Sequence, residues 1–481
     1  MTISQTNFGG NQTWESRCYQ PATDAEVLEI LDKHSDGQVR AFGSKHSWSE
    51  IAVCTDVSLD MTKFDGVRPY EKDGEKFVRV GAGCRLQALL DRLHATSART
   101  LPTLGVIKRQ TISGAISTGT HGSGMQSLSH FVAGARLAAY DSDTGKAKVF
   151  EYSDGEELRA VRCGLGCTGV ILSVDLLTVP KYKVEERVAR ETRLEPVLGR
   201  YKDYPLTQFA LVPYAWEYLL FERRPLAASR TSLAEYGKAL LFRVYNTVWV
   251  DVLFHLGVKA SVVAGSRVVK ASLRLTPKLL IKGVRRVDDA ERVLTMGHHY
   301  FRHEEMEIFV AQSRLAEAVD VLRYATEVFA GEASSPTGQI KGKLEAHNLY
   351  EELLGYRGSY VQHYPFSIRR LLPEDALVSM GSSMNEPLYS ISVFTYCKPH
   401  ARLEYYEFCD WLARCMHALF GARLHWGKHF PLNARHVASA YPALEAFKRI
   451  CRRTDPLGAF SNAYTARVLG LAPSQEVRRA D

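Results

Sequence analysis

The chain has 481 residues, 46% apolar and 24% charged, with a formal charge of +8 from 61 basic and 53 acidic side chains. That length calls for two large domains or one with a substantial insertion, and the composition excludes intrinsic disorder. The mildly basic balance suits an anionic ligand but, without an aromatic–basic recognition motif, excludes a nucleic-acid reader. Nine cysteines, scattered from Cys18 to Cys451, include no Cys-x-x-Cys pair. This argues against a disulfide scaffold and a zinc site, and no metal is expected. The N-terminal Met-Thr-Ile-Ser-Gln-Thr-Asn lacks the basic-then-apolar pattern of a signal peptide. With no apolar run of roughly eighteen residues, nothing spans a membrane and a cytoplasmic location is expected.

Asp24–Lys33 reads as a short helix with Val27, Leu28 and Leu31 inward and Asp24 as its cap. Strands follow at Val39–Phe42, Val57–Met61 and Phe77–Val80, with Asp73-Gly74 turning the chain before the last. From Cys84 to Thr96, Leu86, Leu89, Leu90 and Leu93 share one helical face. Ala133–Tyr140 and Ala147–Tyr152 form a hairpin around Thr144-Gly145, and Pro180 closes this first unit. Beyond residue 186, Phe209–Val212 and Trp216–Phe221 alternate like strands of a different sheet. Residues 236–286 mix apolar runs (Val248–Leu256, Val262–Val263) with Lys238, Arg243, Lys259, Arg267, Lys270, Arg274, Lys278, Lys282, Arg285 and Arg286. Amphipathic helices with solvated basic faces are preferred here to a cationic face resting on anionic lipid. Glu307–Val310 is strand-like, and Leu315–Phe329 is helical with Leu315, Val319 and Leu322 in register. Strands at Tyr360–Ile368 and Tyr389–Cys397 and a helix at Leu403–Leu419 follow. This order suits an antiparallel sheet with helices on one side, an α+β arrangement.

Four stretches carry chemistry. In Arg40-Ala-Phe-Gly-Ser-Lys-His-Ser47 a strand breaks into a polar loop, where Gly43 permits angles that a Cβ forbids. Successive N–H groups in such a loop can converge on an anion such as a diphosphate, with His46 presented to it. Ile112–Gly124 places Gly114, Gly119, Gly122 and Gly124 among hydroxyl residues. That composition is expected to make neither a stable helix nor a packed strand, but a backbone lying close against a polar ligand. Gly164-Leu-Gly-Cys-Thr-Gly169 precedes the strand-like Val170–Val179, and His425-Trp-Gly-Lys428 is followed by Asp455-Pro-Leu-Gly-Ala-Phe-Ser-Asn462-Ala-Tyr464.

On these four motifs, in this order, the chain resembles the vanillyl-alcohol-oxidase-type (PCMH) flavoproteins, and within them the aldonolactone and alditol oxidases. The resemblance is densest over 25–182 and 424–470 and loosest over 225–290. It implies an α+β protein with a two-subdomain PCMH-type FAD-binding domain and a cap domain of antiparallel sheet and flanking helices. The expected divisions are 1–185 for FAD binding, 186–424 for the cap, and 425–481 returning to the FAD domain.

The resemblance further implies that His46 is bonded through its ring to the flavin 8α-methyl. The plainer alternative is a free histidine donating to a phosphate. A second tether through cysteine, found in berberine-bridge-type relatives, has no counterpart, because Thr103–Val106 reads Thr-Leu-Gly-Val. Arg40, Phe42, Gly43, Ser44, Lys45 and Ser47 belong to the first FAD loop. Ser113, Gly114, Thr118, Gly119, Thr120, His121 and Gly122 match the family's diphosphate and ribityl contacts. Val170 matches a backbone contact on the adenine side, and Gly105 a small residue that leaves oxygen a path to the flavin. Cys163 and Cys167 are read as packing residues. His425 and Lys428 match the His-Trp-Gly-Lys motif, the lysine stabilising negative charge on reduced flavin.

The family's Glu-x-Arg pair appears as Ser367-Ile-Arg369, so Arg369 is expected to orient the reacting hydroxyl with serine in the carboxylate's place. Val106 stands where a serine is common, Val393 replaces a polar substrate contact, and Thr395 is kept. With three of the family's polar groups replaced at once, the implied substrate is something other than a free alditol or simple lactone. The expected activity is hydride removal from a CH–OH carbon of a sugar-, polyol- or aldonolactone-like molecule, with oxygen as acceptor giving hydrogen peroxide. The alternatives are a dehydrogenase passing electrons to a quinone or protein at a membrane surface, docking through 236–286, and a flavin-binding protein without turnover.

Overall fold

Alternation and turn chemistry give three larger sheets and one two-stranded ribbon in the computed structural model, which describes residues 2–227, 237, 255–279, 285–296 and 302–472. The first sheet joins β1 (Thr2–Thr6), β2 (Thr13–Tyr19), β3 (Val39–Phe42) and β4 (Val57–Asp60) in the order β1-β2-β4-β3. Both β2 and β3 run parallel to β4. The second sheet contains β5 (Val67–Lys72), β6 (Glu75–Gly81), β8 (Val132–Tyr140), β9 (Ala147–Tyr152) and β10 (Val170–Leu177) in the order β5-β6-β10-β8-β9. Its β5–β6 turn uses positive φ at both Asp73 and Gly74, which suits a tight hairpin. The short β7 (Arg99–Thr100) and β11 (Val179–Pro180) pair with each other. One core beneath these sheets takes in Val27 and Leu31 of the helix Asp24–Lys33, and Leu86, Leu89, Leu90 and Leu93 of the helix Leu86–Ser97.

The third sheet is antiparallel and eight-stranded, from β12 (Tyr182–Glu191), β13 (Gln208–Val212), β14 (Glu217–Ala227), β15 (Arg285–Asp289), β16 (Glu304–Ala311), β17 (Phe366–Leu371), β18 (Leu388–Thr395) and β19 (Arg423–Leu424). The order is β15-β12-β14-β13-β17-β18-β16-β19. Helices Leu315–Phe329 and Leu403–Phe420 cover one face and share its core with Met306, Ile308, Ile368, Ile391 and Val393. Past the end of β13, the β17 backbone pairs with the loop around Gly124: Ser123 Oγ accepts the Arg370 N–H, and the Gly124 N–H donates to the Arg370 carbonyl. Gly124 has φ +83°, and a Cβ there would fall 1.8 Å from the Pro205 carbonyl oxygen, so this junction requires glycine.

Several elements differ from expectation. Ile112–Ser117 is a short helix despite its composition, because Ile112, Ala115 and Ile116 are buried and Ser113 Oγ ties it to the Ala82 carbonyl. Packing overrides propensity there. Thr23 rather than Asp24 caps the first helix, accepting the Glu26 N–H. Strands β1, β2, β12 and β15 had no clear apolar alternation to announce them. In the basic region, Arg285 and Arg286 pair with Glu185 and Glu186 across β12–β15; Arg285 stays exposed, while Arg286 is buried. Lys238, Arg243, Lys282 and residues 248–254 lie outside the described residues. The described part forms helices His255–Ala264 and Ser266–Leu279, with Val258, Val269 and Leu273 buried.

Candidate functional site

A cleft of about 880 Å³ lies where three of the four motifs meet, lined by 40–47, 110–118 and 164–171 with Ile51, Ala52 and Met61. Its walls are glycine backbone (Gly43, Gly114, Gly164, Gly166, Gly169) interleaved with hydroxyls of Ser44, Ser47, Ser113, Ser117, Thr118 and Thr168. Gly43 is needed for the closeness of two loops, since a Cβ there would sit 1.9 Å from Thr111 Oγ1. That hydroxyl is buried without a partner among the described residues. The fourth motif abuts the same loops: the Trp48 N–H donates to the Gly427 carbonyl and Ser49 Oγ to the Trp426 carbonyl. These donors and close-approach glycines fit a dinucleotide such as FAD.

His46 lines the cleft with its ring 5.0 Å from that of Phe8. Phe42 lies beside it, under the Lys45 ammonium. Arg40 lines the cleft too, but its guanidinium is engaged by carbonyls of Ile51, Leu165, Gly166 and Phe460, so it clips the motifs to one another. Gly105 packs on Thr120, where a Cβ would come within 2.3 Å of Thr120 Cγ2. Gly119, at φ +73°, lies against Met380. The Val170 side chain turns into the core, while Gly169 and Ile171 line the cleft. Cys163 and Cys167 are fully buried, and burial pushes both thiols up.

Beyond the cleft, β16 presents Glu305, Glu307 and Phe309 on the face toward the motifs. Glu307 pairs with Arg369 at 2.5 Å, and its Oε1 lies 3.3 Å from His121 Nε2. His121 Nδ1 is 2.8 Å from the Gly122 carbonyl, which can only accept, so Nδ1 carries the proton. Arg369 also donates to the His121 carbonyl at 3.2 Å. Burial alone would raise the Glu307 carboxyl, but the Arg369 guanidinium and His121 outweigh it and hold the group well below the carboxylate range. His425 accepts the Gly427 N–H on Nδ1, and burial holds its ring well below the ordinary histidine value. His121, Glu307 and His425 offer ligand atoms within 4.8 Å of one another, yet Arg369 already supplies the cation there. Lys428 pairs with Glu305 and lies over the Trp48 ring.

A second, small pocket has Arg369 at one wall. Gln208, Arg223, Thr103, Gly122 and Ser123 add polar groups, and Pro102, Leu104, Val106, Met125, Leu206 and Leu294 make it otherwise apolar. Ser367 is bonded by Gln208 at 3.0 Å. Thr395 is a correction. Arg369 pairs with Ser390 and Ser367 with Ser392, so the site face of β18 carries Ser390, Ser392 and Phe394. Thr395 and Val393 point to the opposite, helix-covered face, a one-residue frame difference that reverses direction in a strand. Glu307, Ser390 and Ser392 were missed; the available signal was a pair of carboxylates at alternate positions, Glu305 and Glu307, inside an apolar strand.

A family model described as D-arabinono-1,4-lactone oxidase matches residues 174–468, and one described as FAD binding domain matches 16–145. A long-chain alcohol oxidase from an uncultured marine euryarchaeote is 39% identical over 96% of both chains. An L-gulono-1,4-lactone dehydrogenase of Mycobacterium tuberculosis is 26% identical over 97% of this chain and 99% of its own. A solved cholesterol oxidase from Brevibacterium sterolicum superposes with TM-score 0.69 at 12% identity, covering 98% of this chain and 97% of that one, a likeness of fold.

Proposed function

The chain belongs to the D-arabinono-1,4-lactone oxidase family of FAD-dependent oxidases acting on CH–OH groups, and we propose that its own substrate is a primary alcohol on a long apolar chain. The observation that carries this reading is the pocket around Arg369, where Leu104, Val106, Met125, Leu206 and Leu294 line the wall alongside Gln208, Arg223, Thr103 and Ser123. The five apolar side chains offer no partner to hydroxyls spread along a sugar, and an unpaired hydroxyl weighs heavily in discrimination. The 39% identity to a long-chain alcohol oxidase supports the same choice over a lactone.

In this reading FAD held in the cleft would supply the hydride acceptor, with oxygen as the final acceptor and hydrogen peroxide as product. Arg369 donates to the substrate oxygen and fixes its orientation. The Lys428 ammonium, paired with Glu305, lies over the Trp48 ring at the edge of the cofactor loops. His46 tethers the flavin. Residues 1–185 with 425–481 hold the cofactor, and 186–424 cover it. Peroxide formation under air with butanol, decanol, hexadecanol and gulonolactone tests the proposal. Turnover is expected to rise with chain length and be lowest with the lactone; preference for the lactone would refute it.

A peripheral membrane contact accords with such a substrate. Leu256, Val263, Val268 and Leu275 are 48%, 90%, 44% and 52% exposed on the paired helices 255–264 and 266–279, beside Arg267 and Lys278. Lys270 and Arg274 instead pair with Glu332. No helix among the described residues is long and apolar enough to cross a membrane. Flotation with vesicles containing anionic phospholipid is expected, and its absence would remove this contact.

A further inference from the structure

The carboxylate that Ser367-x-Arg369 lacks reaches Arg369 from two strands away. In register, Ser367 faces Ser392 on β18, and Ser392 faces Glu307 on β16. Directly paired residues point to the same side, so Ser367, Ser392 and Glu307 form one row and Arg369, Ser390 and Phe309 the next. The two intervening serines are small and fully buried, with hydroxyls unpartnered among the described residues. They leave the space over which the Arg369 guanidinium extends to Glu307.

We propose that Glu307 is the positioning residue for Arg369, doing from β16 what a glutamate at 367 would do from Arg369's own strand. This rests on the alcohol reading of the Arg369 pocket. Glu307 holds Nη2 of the guanidinium, the His121 carbonyl holds Nη1, and His121 Nε2 flanks the same carboxylate oxygen. The guanidinium is thereby fixed in plane and partly neutralised, so it can donate to an alcohol oxygen without capturing an anion. Removing the carboxylate lets Arg369 move and leaves its charge uncompensated. Displacements of about 1 Å in a positioning group can reduce turnover on the order of a hundredfold.

The test compares wild type with Glu307→Gln, Glu307→Asp and the double variant Glu307→Gln/Ser367→Glu, all FAD-loaded. Glu307→Gln is expected to lower kcat for decanol roughly a hundredfold with a smaller change in KM. Glu307→Asp is expected to lose less, and the double variant to regain at least about a tenth of wild-type turnover, since positions 367 and 369 share a face. A readout independent of turnover is calorimetric binding of decanoate. Glu307→Gln should bind this anion on the order of tenfold tighter, because Arg369 has lost its counterion, and adding Arg369→Ala should abolish the gain. Unchanged kcat in Glu307→Gln, or decanoate affinity equal to wild type, overturns the proposal. If Glu307→Gln fails to fold, an aspartate variant with wild-type kcat and decanoate affinity overturns it equally. A wild type that oxidises no alcohol removes the functional reading instead, while the decanoate comparison still reports on the Glu307–Arg369 pair.

Discussion

Replacing Arg40 with lysine tests whether the cofactor cleft is assembled by one buried guanidinium. Arg40 is 3% exposed and donates to Phe460 (2.5 Å), Ile51 (2.6 Å), Leu165 (2.7 Å) and Gly166 (3.2 Å) carbonyls. These belong to three separate segments, two of which line the cleft. Lysine keeps the charge, but a single ammonium nitrogen cannot span carbonyls arranged around two. About half of the four bonds should be lost. At roughly 1.5–3 kcal/mol for a bond to a charged group, that is about 3–6 kcal/mol before water repairs any of it. Urea unfolding followed by tryptophan fluorescence, with flavin content measured after gel filtration, gives both consequences. The variant should unfold at clearly lower urea and retain less flavin. An unchanged midpoint with full flavin content would refute the clip.

Three further outcomes follow from the geometry. Gly43→Ala places a Cβ 1.9 Å from Thr111 Oγ1, so the two loops must separate. Overpacking of this kind costs about 1–3 kcal/mol, and flavin retention on gel filtration should fall accordingly. Val106→Ser puts a hydroxyl into the apolar wall and should lower kcat/KM for decanol about tenfold while raising it for a polyol; steady-state oxygen uptake checks both directions. Asp455 accepts the Ala459 and Phe460 N–H groups, each at 2.7 Å, yet burial pushes its carboxyl up to about 7. Folded protein therefore holds a proton that unfolded protein has released between pH about 4 and 7, so this group's stabilisation falls as pH rises through that window. The stability difference between wild type and Asp455→Asn should shrink by on the order of 4 kcal/mol across it. A difference that stays constant with pH would contradict the buried, protonated carboxyl.

What was legible in the sequence depended on the backbone or on local periodicity. The helix Leu315–Phe329 was bounded to the residue because its apolar face repeats through Leu315, Val319 and Leu322. Gly43 and Gly124 stood out because close approach or positive φ leaves no other residue type. Glu307 did not, because its meaning lies in a pairing with Ser392 and Ser367 across strands distant in sequence, which no window along the chain contains. The Thr395 expectation failed for the same reason: strand direction is set by register, and one residue of frame exchanges the two faces. Ile112–Ser117 folded as a helix because its three apolar side chains find a core that its glycine and serines conceal.

The gathering of the four motifs around one FAD, with His46 at its ring end, is tested most directly by peptide mass spectrometry after acid precipitation. The account predicts a yellow pellet and a flavin mass on the peptide containing His46, with the flavin released from His46→Ala. Flavin in the wild-type supernatant, or on a peptide lacking His46, would contradict it.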